Sequence, residues 1–320
     1  MKNILTFTLN PTIDKSAKVD NVKTETKLNC DTVRFEPGGG GINVSRAIKK
    51  LGGSSLLAYT SGGFTGRRLD KLLGKEELNS KSIEIEASIR ENFIAFERTS
   101  QEQYRFGMPG PRISDSEYKE IFNTFRNIED LPEYFVISGS IPAGTNDGIY
   151  AELAGLAKKR GSKVIVDVSG PPLKEVMQEG VFLIKPNIGE FQDLVGKELQ
   201  YEKEIKEHAF KLVKDSCCEV LVISIGAGGA LLIYQDKAKF MRPPTVPIKS
   251  KVGAGDSMVA GMVLSLSQGN SIEDAFIYGI AAGSAAVMTP GTELCRKTDT
   301  DRLYQSMIEK NLNEESNSED

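Results

Sequence analysis

The sequence predicts an α/β protein: a doubly wound, mainly parallel sheet with helices on both faces and a small β-sheet lid. Short β-branched runs alternate with stretches of helical periodicity, the signature of βαβ crossovers. Two stretches break that rhythm with strand-like alternation, and the last third turns wholly helical. At 320 residues the chain can hold one large domain of this kind or two modest ones.

Taken in order, residues 4–9 read as a first buried strand. Residues 17–22 and 31–36 alternate apolar and polar side chains, and a helix is expected over 43–51. A strand at 55–59 and a helix at 66–73 come next, then β-rich segments at 83–86, 93–98 and 103–106. These segments and the earlier pair suggest a small antiparallel sheet, inserted at about 17–36 and 82–107 as a lid; edge strands of the main sheet are the alternative. The body resumes with strands at 134–138, 163–168, 182–185 and 220–224, interleaved with helices at 147–160, 188–195 and 202–215. Helices at 254–268, 272–288 and 301–310 cover one face. One domain over 1–310 is expected, followed by a polar, acidic and disordered tail at 311–320.

Composition excludes several classes. The chain is 39% hydrophobic and 26% charged with 31 Gly, as expected of a globular protein rich in tight turns. A formal net charge of -4 offers nucleic acid no bulk attraction. No apolar run reaches the roughly 18 residues that span a bilayer, and the short first apolar stretch lacks a cleavage site, so neither membrane partner nor signal peptide is expected. Four scattered cysteines (Cys30, Cys217, Cys218, Cys295) suit a reduced, cytoplasmic protein. The single histidine, His208, is expected to face solvent. One His without a Cys cluster argues against a zinc site and a His-based triad.

The chemistry concentrates in strand-to-helix joints. Gly253-Ala254-Gly255-Asp256-Ser257 opens a helix, so its unpaired N–H groups form an anion site with Asp256 in the first turn. A carboxylate there can serve as general base for moving a phosphoryl group onto an alcohol; an ordinary helix cap is the competing reading. Gly38, Gly39, Gly40 and Gly41 precede Ile42 and Asn43 at another helix start, where backbone amides and Asn43 can reach a polar ligand. Asn43 occupies a position that a dinucleotide fingerprint needs as Gly, and no P-loop pattern exists. Asp14, just past the first strand, could hold sugar hydroxyls or simply sit in a turn. Asn187 and Glu190 could hold Mg²⁺ through its waters or form a capping box. The glycine-rich stretch from Ser224 to Gly229 could wrap nucleotide phosphates or make a plain hairpin. Lys27, Arg90 and Arg105 fall in or beside the lid and could converge on a substrate phosphate.

Asn10 to Asp14, Gly38 to Asn43, Asn187 to Glu190 and Gly253 to Asp256, in that order, resemble the motifs of the phosphofructokinase B family of ribokinase-like sugar kinases. The resemblance covers essentially residues 4–304. It implies a ribokinase-like kinase domain whose β lid pairs with a second subunit's lid into a homodimer, and an ATP-dependent transfer to a phosphosugar. Gly40, where 1-phosphofructokinase and tagatose-6-phosphate kinase relatives carry Lys, leans toward fructose 6-phosphate; those two kinases are the alternatives, with a non-catalytic sugar-phosphate sensor from another class. The resemblance implies sugar contacts at Asp14, Lys27, Gly39, Asn43, Arg90, Ser138 and Gly139. It implies ATP along Lys185, Asn187, Ser224, Gly226, Gly229 and Ser284, and Mg²⁺ near Glu190. A monovalent cation, K⁺, would lie near the carbonyls of Ser250, Val252, Ala286 and Gly291. Asn29 stands where a 6-phosphofructokinase of the family carries Arg, which removes one possible phosphate contact.

Overall fold

The computed structural model describes residues 3–316. Strand β1 (Ile4–Thr8) is buried along its whole length, Thr6 and Thr8 included, as a central strand covered on both faces must be. The chain then leaves the body through β2 (Thr12–Val19) and β3 (Arg34–Gly38) and returns as α1 (Gly40–Lys50). β4 (Leu56–Gly62), α2 (Gly63–Lys75) and β5 (Ser80–Ile85) complete that flank. A second excursion, β6 (Arg90–Glu97) and β7 (Gln103–Phe106), precedes α3 (Asp115–Arg126).

The other flank alternates β8 (Tyr134–Ser138), α4 (Ile149–Lys159), β9 (Lys163–Asp167), α5 (Pro171–Gln178) and β10 (Val181–Ile184). α6 (Ile188–Val195), α7 (Glu202–Lys214) and β11 (Cys218–Ser224) follow, and β12 (Ala230–Tyr234) and β13 (Lys237–Met241) form an antiparallel hairpin that finishes the sheet. Helices α8 (Ala254–Ser267), α9 (Ile272–Val287) and α10 (Lys297–Ser316) close the chain.

Nine strands form the main sheet in the order β13-β12-β11-β10-β9-β8-β1-β4-β5, parallel from β11 to β5. The sheet divides the core. Ile121, Phe125, Tyr150 and Phe191 pack on one face, while Val44, Ile48, Met262, Phe276 and Ile280 pack on the other. The second face is built chiefly by α8 against α9. Gly261 and Gly279 let those helices approach so closely that a Cβ on Gly261 would lie 3.1 Å from the Gly279 Cα.

The lid is a separate four-stranded sheet, β3-β2-β6-β7. It departs from the expected antiparallel arrangement because β2 and β6 run parallel, with Asp14 opposite Asn92. Both strands leave the same edge of a parallel sheet and so head in one direction. Of residues 83–86, expected in the lid from their alternation, 83–85 belong instead to β5, paired with β4 in the main sheet. The tail expected to be disordered from 311 is helical through Ser316, and residues 317–320 lie outside the described residues. His208 is half-buried on α7 rather than fully facing solvent.

Candidate active site

Strand β1 sits where the connections reverse, running to β4 on one side and β8 on the other. Ligands bind beyond the carboxyl ends of strands at such a point. Here a cleft of about 300 Å³ opens, lined by Asp14 and Asn92 of the lid and by Gly39, Gly40 and Asn43 at the start of α1. Ser138 and Gly139 at the end of β8, Asp167 at the end of β9, and Lys251 to Gly253 with Asp256 complete it beside Arg90 and Arg105.

The α8 terminus is built for an anion. Gly253 is its N-cap, in the left-handed region at φ 74°, and no side chain caps the helix. Its first intrahelical bond runs from the Ser257 N–H to the Gly253 carbonyl at 2.8 Å. The amides of Gly253, Ala254, Gly255 and Asp256 precede that bond and lie in the open first turn. The capping alternative for Asp256 therefore fails, and its carboxylate is engaged elsewhere. Oδ2 accepts a hydrogen bond from Asn43 Nδ2 at 2.9 Å, joining the first turns of α1 and α8.

Burial pushes the Asp256 carboxyl up to about 7, and the Asp167 charge adds to the rise. The Asn43 hydrogen bond and Lys185 oppose it. Lys185 is buried and pairs with Asp167, Nζ to Oδ1, at 3.0 Å. Burial works against its ammonium, yet Asp167, with Glu190 and Asp256 behind it, holds the pKa above the ordinary lysine value. A carboxylate poised near neutrality beside a fixed cation is the setting general-base chemistry uses.

On the lid side of the cleft Asp14 is buried on β2, not placed in a turn. Burial raises its pKa against Asn92, Arg105, Arg90 and Arg46. A Cβ on Gly38 would lie 2.5 Å from Asp14 Oδ2, so any larger residue there would displace that carboxylate. At Gly40 a Cβ would meet Ser138 Oγ at 2.2 Å and the Gly139 nitrogen at 2.6 Å, so the joint is closed to a larger residue without movement. Arg90 donates from Nη2 to the Asn10 carbonyl at 3.0 Å and to Ser140 Oγ at 3.4 Å, which aims its head along the cleft. Lys27 does not join them. It sits in the exposed β2–β3 loop, which Asp31 holds through the Lys18 N–H at 2.8 Å and Arg98 at 2.8 Å.

The expected nucleotide residues gather next door. Asn187 and Ser224 form a parallel bridge just beyond β10 and β11, beside Lys185. Gly226 begins a tight turn into β12, so the Ser224–Gly229 stretch is a hairpin connection. Asn187 and Glu190 form a true capping box: Asn187 Oδ1 accepts from the Glu190 N–H at 2.9 Å, and Glu190 Oε2 accepts from the Asn187 N–H at 2.8 Å. Ser284 is buried on α9 beside Gly283, where a Cβ would sit 3.1 Å from the Ala254 carbonyl. The segment holding Ser250 and Val252 is strapped to the end of α9 by the Lys249 N–H on the Val287 carbonyl at 2.7 Å. The Ala286 carbonyl already accepts twice from Thr289, at 2.8 and 3.1 Å, so Ser250, Val252 and Gly291 remain the freer oxygens.

Three cleft residues escaped sequence reasoning. Asp167 ends a strand with no motif around it, Asn92 is one polar residue in an alternating strand, and Lys251 looks like any surface lysine.

A sequence model described as the pfkB family carbohydrate kinase matches residues 4–299. The ATP-dependent 6-phosphofructokinase isozyme 2 of Escherichia coli (strain K12) is 38% identical over 305 residues, covering 95% of this chain and 98% of its own. A crystal structure of phosphofructokinase-2 from Escherichia coli in complex with potassium superposes with a TM-score of 0.92 at 38% identity, over 96% of this chain and all of that one. Another, in complex with fructose-6-phosphate, gives 0.91 at 37% identity with the same coverage.

Proposed function

Because the chain belongs to the pfkB family of carbohydrate kinases, we propose that it transfers the terminal phosphoryl group of ATP to the C1 hydroxyl of fructose 6-phosphate, giving fructose 1,6-bisphosphate and ADP. The observation that carries this reading is Asp256 in the open first turn of α8, with its pKa near 7 and the cations Arg90 and Arg105 in the same cleft. Asp256 takes the hydroxyl proton as the sugar oxygen bonds to phosphorus and the bond to ADP breaks. The amides of Gly253, Ala254, Gly255 and Asp256 receive the charge that develops on the phosphoryl oxygens. Asp14 and Asn43 orient the sugar hydroxyls, and Gly39, Ser138 and Gly139 shape the wall behind them. Arg90 and Arg105 are the cleft cations for the 6-phosphate, and Lys27 reaches it only by movement of the lid loop.

Lys185, Asn187, Ser224, Gly226, Gly229 and Ser284 form the nucleotide side in this reading. Mg²⁺ fits beside Glu190, a hard oxygen donor with Oε2 committed to the cap, and Asn187 would contact the ion through water. When bound, Mg²⁺ screens the phosphate charge. K⁺ fits the carbonyl oxygens of Ser250, Val252 and Gly291, with Ala286 the weaker contributor; a relative is known in complex with potassium. Gly40 supports fructose 6-phosphate over fructose 1-phosphate and tagatose 6-phosphate, the sugars whose kinases, by the resemblance, carry Lys there; here a Cβ would force the joint at Ser138 to move.

The lid's other face supports a homodimer. Val19, Val22, Leu28, Phe93, Phe106 and Met108 line an apolar groove of about 410 Å³. Among the described residues no helix is long and apolar enough to cross a membrane, and all four cysteines are free, which supports a cytoplasmic setting. Coupled ADP release against fructose 6-phosphate, fructose 1-phosphate, tagatose 6-phosphate and free fructose tests the reading. The first is expected to give the highest kcat/KM; preference for another sugar overturns the substrate, and no turnover with any of them overturns the kinase.

A further inference from the structure

Asn92 stands on β6 directly opposite Asp14, half-buried in the wall of the cleft. Its Nδ2 donates to Asp14 Oδ1 at 3.0 Å, and its Oδ1 accepts from the Met108 N–H at 3.1 Å. A peptide N–H can only donate, so the amide has one allowed orientation. Its oxygen must face Met108, and its nitrogen must face Asp14. Asp14 Oδ1 is therefore always an acceptor, and any proton on this buried carboxyl is confined to Oδ2.

That second oxygen lies against the bare Cα of Gly38. The carbonyl of the same residue, Met108, accepts from Arg90 Nη1 at 3.4 Å, and Met108 also lines the apolar groove on the far side of the lid. One residue thus touches the Arg90 head, the groove and Asn92, which orients Asp14.

We propose that Asn92 is a positioning residue for sugar binding: it locks Asp14 as a hydrogen-bond acceptor toward a substrate hydroxyl and ties that setting, through the backbone of Met108, to Arg90. The inference rests on the sugar-phosphate kinase reading above. A purely structural rung of the lid sheet would affect stability without changing how the sugar affinity depends on pH.

Asn92→Asp separates the two. It keeps the acceptor for Met108 but sets a second carboxylate against Asp14, and two such oxygens can meet only by sharing a proton. KM for fructose 6-phosphate is measured for the wild type, Asn92→Asp and Asn92→Ala from about pH 6 to pH 9, at saturating MgATP and with thermal melts alongside. In Asn92→Asp the KM is expected to rise on the order of tenfold at about pH 8 and to return toward the wild-type value near pH 6, because the shared proton restores the donor. Asn92→Ala should show a comparable rise with no recovery on acidification. In both variants KM for ATP should stay within about twofold of the wild type, since nothing on the nucleotide side is touched.

A wild-type KM in Asn92→Asp at about pH 8, or a rise equal at every pH, overturns the proposal. If the Asp variant does not fold, Asn92→Ala decides alone: an unchanged KM overturns the proposal and a raised one supports it. A wild-type protein that ignores fructose 6-phosphate overturns the substrate reading instead, and the same comparison is then made with the sugar phosphate it does accept.

Discussion

Asp256 is held where its charge is disfavoured, by burial first and by Asp167 second. Its folded pKa of about 7 exceeds the ordinary aspartate value of 3.8, so the folded protein binds a proton the unfolded chain has released between those values. Stability from this site is complete at low pH and is lost as pH rises through 7. Asp256→Asn is therefore expected to raise unfolding stability at pH 8 by about 2–4 kcal/mol while leaving it unchanged near pH 4, which denaturant melts at both pH values would show. The same substitution should lower kcat on the order of 10²–10⁴-fold with little change in either KM. In the wild type kcat/KM should fall about tenfold per pH unit below the Asp256 pKa. Arg90→Ala should raise KM for the sugar phosphate roughly tenfold or more and leave kcat nearly intact, as steady-state kinetics would report.

Helix termini do most of the site's work, and their glycines are positional. Gly253 needs its left-handed φ, and a Cβ there would come within 2.3 Å of Leu294 Cδ2. Gly253→Ala should cost about 1–3 kcal/mol in stability and reduce kcat more than KM, measured by melts and kinetics together. These glycine joints were legible in the sequence because a backbone that bends and approaches closely leaves few residue choices. The elements that went unread carried other signals. The box Ser114 to Glu117 announces α3 and a proline at N1 announces α5, yet α3 carries aromatic residues that blur the period and α5 opens on two prolines and is short. The β12–β13 turn uses Gln235 at φ 52° where glycine or asparagine would advertise a hairpin. Asp167 and Asn92 act through partners distant in sequence, and no local pattern shows that.

At the scale of the molecule the parallel sheet follows from strand and helix alternation, whereas the split between lid and body does not. β5 alternates like a lid strand because it is an edge strand with one wet face, and only its pairing with β4 assigns it. The apolar lid groove, with Phe93 stacked on Phe106 at 6.1 Å between ring centroids, carries the last prediction. On the proposed lid homodimer, Phe106→Glu should yield monomers on light scattering where the wild type is dimeric, and raise KM for the sugar phosphate, because the neighbouring Arg105 lines the cleft.

The cleft has two owners. Asp256, proposed as the base, the open first turn of α8 and the paired lysine belong to the sheet and its helices, whereas Asp14, Asn92, Arg90 and Arg105 all ride on the lid strands. On the proposed reading the acceptor is held jointly by the lid and by Gly39, Asn43 and Ser138 of the body, whereas phosphoryl transfer rests on the body alone. A lid transplanted from a kinase of another sugar would exchange part of the acceptor contacts while the transfer machinery stayed as it was.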